Sequence, residues 1–180
     1  KAEPSANFAM KDLAGQTHHL ADYRGKWVIL NYWATWCPSC LDEIPDLVEL
    51  SQKKKANLVL LGLAVDYKSE KEVRDFVDDM LIPYPIILAN AKIFAQFSSP
   101  PVLPTTLIFN PKGKLVQTKQ GKISKEFIET LIEFHTCQRV HIAIKQKILG
   151  RINLNPLIQN VFERSGNGDD LFAVAFSGLV

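Results

Sequence analysis

Cysteine is scarce in this chain: three residues in 180, too few for a small fold stapled together by disulfides. An excess of charge is missing as well. A formal net charge of +2 gives no electrostatic footprint for nucleic acid. The lysines are scattered apart from Lys53-Lys54-Lys55, which reads as a solvated helix end. No apolar run reaches the roughly 18 residues that a bilayer span needs. With 47% hydrophobic and 22% charged residues, the composition is that of a soluble globular protein with one ordinary core, neither disordered nor fibrous. The chain opens Lys1-Ala2-Glu3-Pro4-Ser5. A start without Met suits a mature protein that has lost a signal peptide or membrane anchor, and equally a trimmed chain.

The apolar pattern sets out alternating strands and helices. Phe8, Met10 and Leu13 alternate before a turn at Ala14-Gly15-Gln16, with His19-Leu20 as a return strand. Residues 27–33 (Trp-Val-Ile-Leu-Asn-Tyr-Trp) and 58–65 (Leu-Val-Leu-Leu-Gly-Leu-Ala-Val) are nearly continuous runs of strand formers, as expected for strands covered on both faces. Between them Leu41, Ile44, Leu47, Val48 and Leu50 fall at helical spacing, with Pro45 expected to kink that helix or remove one bond. Ser69 and Glu72 have capping-box spacing before Val73, Phe76, Val77 and Met80, which predicts another helix. A short strand at residues 86–88, a short helix at 91–97, a hairpin of 105–109 with 115–119 across Asn110-Pro111-Lys112-Gly113, and a helix from Ser124 to about Thr136 complete the pattern. The result is an α/β fold with helices on both faces of a sheet that the last hairpin makes mixed. From Gln138 the character changes, and no chemical motif stands in residues 138–180.

Chemistry concentrates at Cys37-Pro38-Ser39-Cys40. Disulfide exchange needs one exposed thiolate and a second thiol within reach of it. Two cysteines in the first turn of a helix meet both needs. Cys37 lies where free N–H groups and the helix dipole favour a thiolate, and Cys40 falls one turn later, more covered. Zinc uses the same spacing, but it needs two further ligands, and the one other cluster, Cys137 with His135 or His141, has the spacing of no common finger. The redox reading prevails because the motif follows a buried strand and opens a helix.

Asn31-Tyr32-Trp33-Ala34-Thr35-Trp36-Cys37-Pro38-Ser39-Cys40, followed by Glu43 and Pro45 and, much later, by Leu103-Pro104-Thr105-Thr106, resembles the TlpA/ResA branch of the thioredoxin superfamily over about residues 5–137. The resemblance implies a thioredoxin fold with an N-terminal hairpin and a strand–helix insertion in residues 1–137, and a C-terminal extension of unknown role in 138–180. It implies an exported or membrane-tethered thiol–disulfide oxidoreductase, in the periplasm or elsewhere outside the cytoplasm, of the kind that includes reductases serving cytochrome c maturation. Cys37 would attack and Cys40 resolve. Pro104 would be a cis proline that turns the Leu103 backbone toward the sulfurs, where a substrate strand could pair with it. Glu43, one turn beyond Cys40, would be a sheltered carboxyl moving protons to and from the thiols. Trp36 and Pro38 would belong to the rim that protein substrates touch. The implied partners are protein thiols and disulfides with a membrane or thioredoxin-like electron donor. No cofactor beyond the redox disulfide, no metal and no nucleic acid is implied.

Other residues carry plainer expectations. Asn31 stands where thioredoxin itself has a buried Asp; an amide cannot titrate, so proton handling moves toward Glu43 or water, and a hydrogen-bonded core amide suffices for Asn31. Tyr32 and Trp33 read as core, His18-His19 as a loop or surface strand, Asp42, Asp46 and Glu49 as solvated, and Cys137 as a buried small hydrophobe. Competing functions are a disulfide oxidant or isomerase on the same chemistry, a copper chaperone, and a non-catalytic binding module. A peroxidase needs a lone reactive cysteine, and a copper chaperone of the Sco type spaces its cysteines by three residues rather than two.

Overall fold

The computed structural model describes residues 9–53 and 57–136. The chain parts into compact units, Lys1–Ile132 and Glu133–Val180, and the sheet lies in the first. The extension expected from residue 138, with Cys137 before it, lies outside the described residues, as do Lys54 and Lys55.

Five strands form the sheet in the order β5-β4-β3-β6-β7. They are β3 (Trp27–Trp33), β4 (Leu58–Ala64), β5 (Ile86–Leu88), β6 (Thr105–Phe109) and β7 (Leu115–Gln120). All seven residues of β3 are buried, which is why its sequence is a continuous apolar run rather than an alternating one. It pairs in parallel with β4 from Trp27↔Leu58 to Trp33↔Ala64 and antiparallel with β6 from Tyr32↔Thr105 to Val28↔Phe109. β5 is parallel to β4, so the sheet is mixed as expected. Each fully buried Leu or Ile here contributes about 1.5–3 kcal/mol by leaving water. The β6–β7 turn is closed by Asn110, whose Oδ1 accepts from Lys112 N at 3.0 Å and Lys114 N at 3.1 Å, and by Gly113 at φ 73°, where a side chain would be strained.

Helices cover both faces. α1 (Pro38–Lys53) and α2 (Glu70–Asp79) lie over the side to which Asn31 and Trp33 point: Asn31 bonds Glu43 of α1, and the Trp33 ring packs 5.2 Å from that of Phe76. α3 (Ala91–Phe97) covers the opposite side, where its Phe94 stacks on Tyr32. Residues 125–136 form α4, and Lys125 at its start donates from Nζ to Glu49 of α1 at 2.6 Å. Pro45 does not break α1, which runs unbroken for 16 residues; the proline stands on the exposed side, where a missing backbone bond costs little. Ser69 caps α2 by accepting from Glu72 N at 3.1 Å. Met80 falls at the C-cap of α2 and is exposed, one step beyond the apolar face assigned to it.

The N-terminal hairpin, β1 (Ala9–Lys11) with β2 (Thr17–His19), departs from expectation at His18. The side chain is not on a surface strand; it is 2% exposed. Its Nε2 lies 2.8 Å from Asp12 Oδ2 and its Nδ1 bonds the hydroxyl of Tyr23. Asp12 Oδ1 accepts from Gln16 N at 2.8 Å, and Leu13 N donates to Ile86 O at 2.8 Å. Pairing with Met10, also buried, turns the His18 side chain inward, and hydrogen bonds at both ring nitrogens make the burial tolerable. Replacing His18 by Leu leaves one Asp12 oxygen buried without its partner, so the variant should lose about 1–3 kcal/mol of stability in urea unfolding. An unchanged midpoint would mean that the cluster contributes nothing to the fold.

Candidate active site

β3 ends at Trp33, and four residues later α1 begins with the cysteine motif. Cys37 acts as the helix cap: its carbonyl accepts from Cys40 N at 3.0 Å and Leu41 N at 3.2 Å. Pro38 then takes the first helical position, where a missing N–H costs nothing. The two cysteines form a disulfide with Cα atoms 5.3 Å apart. Cys37 is 4% exposed and Cys40 0%, so in the disulfide form Cys40 is covered as expected, while Cys37 is buried too rather than exposed.

The loop before Cys37 is tied to the β4–α2 segment. Val65 N donates to Trp33 O at 2.9 Å. Thr35 Oγ1 donates to Glu72 Oε1 at 2.6 Å, which holds the Glu72 carboxyl below its usual range. Trp36 Nε1 donates to Asp66 O at 3.1 Å, and the Trp36 ring is 57% exposed. Pro38 is exposed as well. Thr105↔Tyr32 pairing brings Pro104 level with Trp33, so the proline loop and the cysteine motif share the carboxyl end of β3. The Leu103–Pro104 bond is cis. Leu103 is half-buried and Pro104 buried, with the Pro104 carbonyl accepting from Gly121 N at 2.8 Å. The structure therefore gathers Trp36, Cys37, Pro38, Cys40, Leu103 and Pro104 at one end of the sheet.

Glu43 lies one turn below Cys40 and is 0% exposed. Its Oε1 accepts from Asn31 Nδ2 at 2.7 Å and its Oε2 from Ile123 N at 2.9 Å. Asn31 Nδ2 also donates to Thr106 Oγ1 at 3.1 Å. Burial raises the Glu43 pKa from 4.5 to about 7, outweighing the two hydrogen bonds and the positive charge of Lys122, all of which lower it. Asn31 is the hydrogen-bonded core amide expected, and its partners Glu43 and Thr106, with the Ile123 backbone on Glu43, are contacts that sequence reasoning did not name. A lone amide within an otherwise apolar strand was the available signal. Asp42 is exposed as expected, but two other acids of α1 are less solvated: Glu49 pairs with Lys125 and Lys53, and Asp46 Oδ2 accepts from Lys125 N at 3.3 Å, because the start of α4 packs alongside.

A disulfide set at the amino end of a helix, against a thioredoxin-type sheet and above a buried carboxyl, belongs to a thiol–disulfide oxidoreductase. The chain is a member of the AhpC/TSA family, which residues 2–118 match. It is 34% identical over 128 residues to the thiol-disulfide oxidoreductase ResA of Geobacillus kaustophilus, covering 71% of this chain and 73% of that one. A thiol:disulfide interchange protein of the thioredoxin family from Chlorobium tepidum TLS has the same fold, with TM-score 0.67 and 24% identity over 74% of this chain and 96% of that one. The exposed lipoprotein thioredoxin of Streptococcus pneumoniae strain TIGR4 superposes with TM-score 0.63 at 27% identity, covering 71% and 98%. No helix among the described residues is long and apolar enough to cross a membrane.

The raised pKa of Glu43 couples stability to pH. The fold favours the protonated acid, so this contribution is complete below 4.5, declines as pH rises to about 7, and is lost above; the full swing is on the order of 3 kcal/mol. Urea unfolding of the disulfide form between pH 4 and 8 should show that decline, and Glu43→Gln should flatten it. A slope retained in Glu43→Gln would assign it to another group.

Proposed function

We propose that the protein is a disulfide reductase acting on protein disulfides outside the cytoplasm. The observation that carries this reading is the Glu43 carboxyl, buried one turn below Cys40 with a pKa near 7. A base in that place takes the proton that Cys40 must lose before it can close the disulfide and returns it in the reverse step, so the potential of the pair sets the direction.

In the dithiol form, Cys37 Sγ at the amino end of α1 is the thiolate. It attacks one sulfur of the substrate disulfide; a Cys37–substrate bond forms, the substrate bond breaks, and the departing sulfur takes up a proton. Cys40 then gives its proton to Glu43 and attacks Cys37 Sγ. The second substrate sulfur leaves as a thiolate and is protonated. Two electrons have moved, with the protein oxidised to the disulfide and the substrate reduced to two thiols. A membrane or thioredoxin-like donor restores the dithiol, and no cofactor beyond the disulfide is needed. Exposed Trp36 and Val102, with Pro38, give the substrate an apolar contact, and the backbone of Leu103 beside Pro104 offers an extended segment a place to pair. The likeness to ResA and to an exposed lipoprotein thioredoxin supports an extracytoplasmic setting, with a disulfide in apocytochrome c, whose thiols must be free for haem attachment, as a candidate substrate.

Titration of the Cys37–Cys40 pair in defined thiol buffers should give a potential near the thioredoxin end of the range, about −270 mV; a value near −120 mV would overturn the reductase reading in favour of an oxidant. Cys37→Ser should abolish turnover with a protein disulfide. Cys40→Ser should accumulate a mixed disulfide on Cys37, detectable on non-reducing gels, whereas a binding module would form none.

A further inference from the structure

Asn31 is the one amide in the buried run of β3, and both hydrogens of its Nδ2 are used. One goes to Glu43 Oε1 at 2.7 Å, the other to Thr106 Oγ1 at 3.1 Å. The sheet sets this up, since Asn31 and Thr106 are cross-strand partners, next to the Tyr32↔Thr105 pair at the carboxyl end of β3. Both residues are fully covered. The remaining oxygen of Glu43 is held from the opposite direction by Ile123 N, in the segment leading to α4. The carboxyl is therefore gripped between the sheet and that segment.

We propose that Asn31 and Thr106 are positioning residues of the exchange reaction: Thr106 fixes the Asn31 amide, and the amide holds the Glu43 carboxyl in the orientation from which it exchanges a proton with Cys40. The inference rests on the acid–base role assigned to Glu43 above. A Glu side chain left to itself has a broad terminal torsion, and proton transfer falls off once the acceptor leaves hydrogen-bond reach. An amide supplies direction without adding a second titrating group. Its N–H also favours the charged carboxylate against the burial that disfavours it, so Glu43 can alternate between its two states. An Asp at position 31 would remove the donor and place two carboxyls in one buried site. The other groups that bear on Glu43 are Lys122, whose charge favours the carboxylate, Tyr84, kept neutral by burial, and the cysteine pair on its own helix.

The test is stopped-flow reaction of the reduced full chain with a chromogenic aromatic disulfide between pH 5 and 9. The first aromatic thiol released reports attack by Cys37. The second reports closure of the disulfide by Cys40, in the step that gives its proton to Glu43. In the native protein the ratio of second to first rate should inflect near neutral pH. Asn31→Asp should move that inflection up by about one unit or more, leaving about a tenth of the ionised Glu43 near pH 6 and slowing the second release about tenfold relative to the first. Thr106→Val should shift it the same way by less, and Thr106→Ser, which keeps the hydroxyl, should restore the native profile. If Glu43→Gln abolishes the inflection while Asn31→Asp and Thr106→Val leave it in place, the positioning proposal is overturned. If Glu43→Gln itself retains the inflection, the acid–base reading beneath it fails instead. Should Asn31→Asp not fold, the Val and Ser variants at Thr106 decide the matter, and identical profiles would sink the proposal.

Discussion

Everything at the site hangs from one strand that has no face in water. β3 is buried along its whole length, paired in parallel on one side and antiparallel on the other, with helices above and below. Such a strand cannot slide by a residue without turning every side chain to the wrong face. That rigidity places the first turn of α1, and with it Cys37, four residues past its end. It also sets the register that makes Asn31 the neighbour of Thr106 and brings Pro104 level with Trp33. A helix N-terminus favours a thiolate wherever it stands; here the strand decides what the thiolate faces.

The second constraint is electrostatic. Glu43 is fully covered, and an isolated carboxylate in that position would be costly. Two N–H donors and the charge of Lys122 recover part of the loss, and the balance leaves the acid close to neutrality in its affinity for a proton. Burial alone would keep the group protonated, and stronger donors would keep it ionised. The other acids of α1, exposed or half-buried beside lysines, have no such tension, which is why spacing along one helix separates Glu43 from Asp42 poorly and packing separates them at once.

Gly62 illustrates how closely the interior is fitted behind the site. A Cβ there would lie 2.5 Å from Ile86 Cδ1 and 2.9 Å from Trp33 Nε1, so the glycine admits the Trp33 ring over the parallel pair. The β4–α2 segment then returns to the active-site loop through Thr35–Glu72 and Trp36–Asp66. The strand–helix insertion is therefore part of the frame that holds the cysteine loop in place.

The sequence by itself determined the element order, the mixed sheet, the Ser69 cap of α2 and the pairing of the two cysteines. Those are local matters: apolar runs, turn residues at fixed offsets, and two thiols within one turn of a helix. It also pointed to Glu43 and Pro104 through a motif. It misplaced His18, whose burial depends on Asp12 and Tyr23 arriving from either side. The contacts that fix Glu43 come from positions 31, 106 and 123, far apart along the chain and joined only when β6 pairs with β3 and the segment before α4 closes over α1. Only the tertiary structure could decide those contacts, because a carboxyl's proton affinity depends on what surrounds it in space, and no local pattern of residues records that.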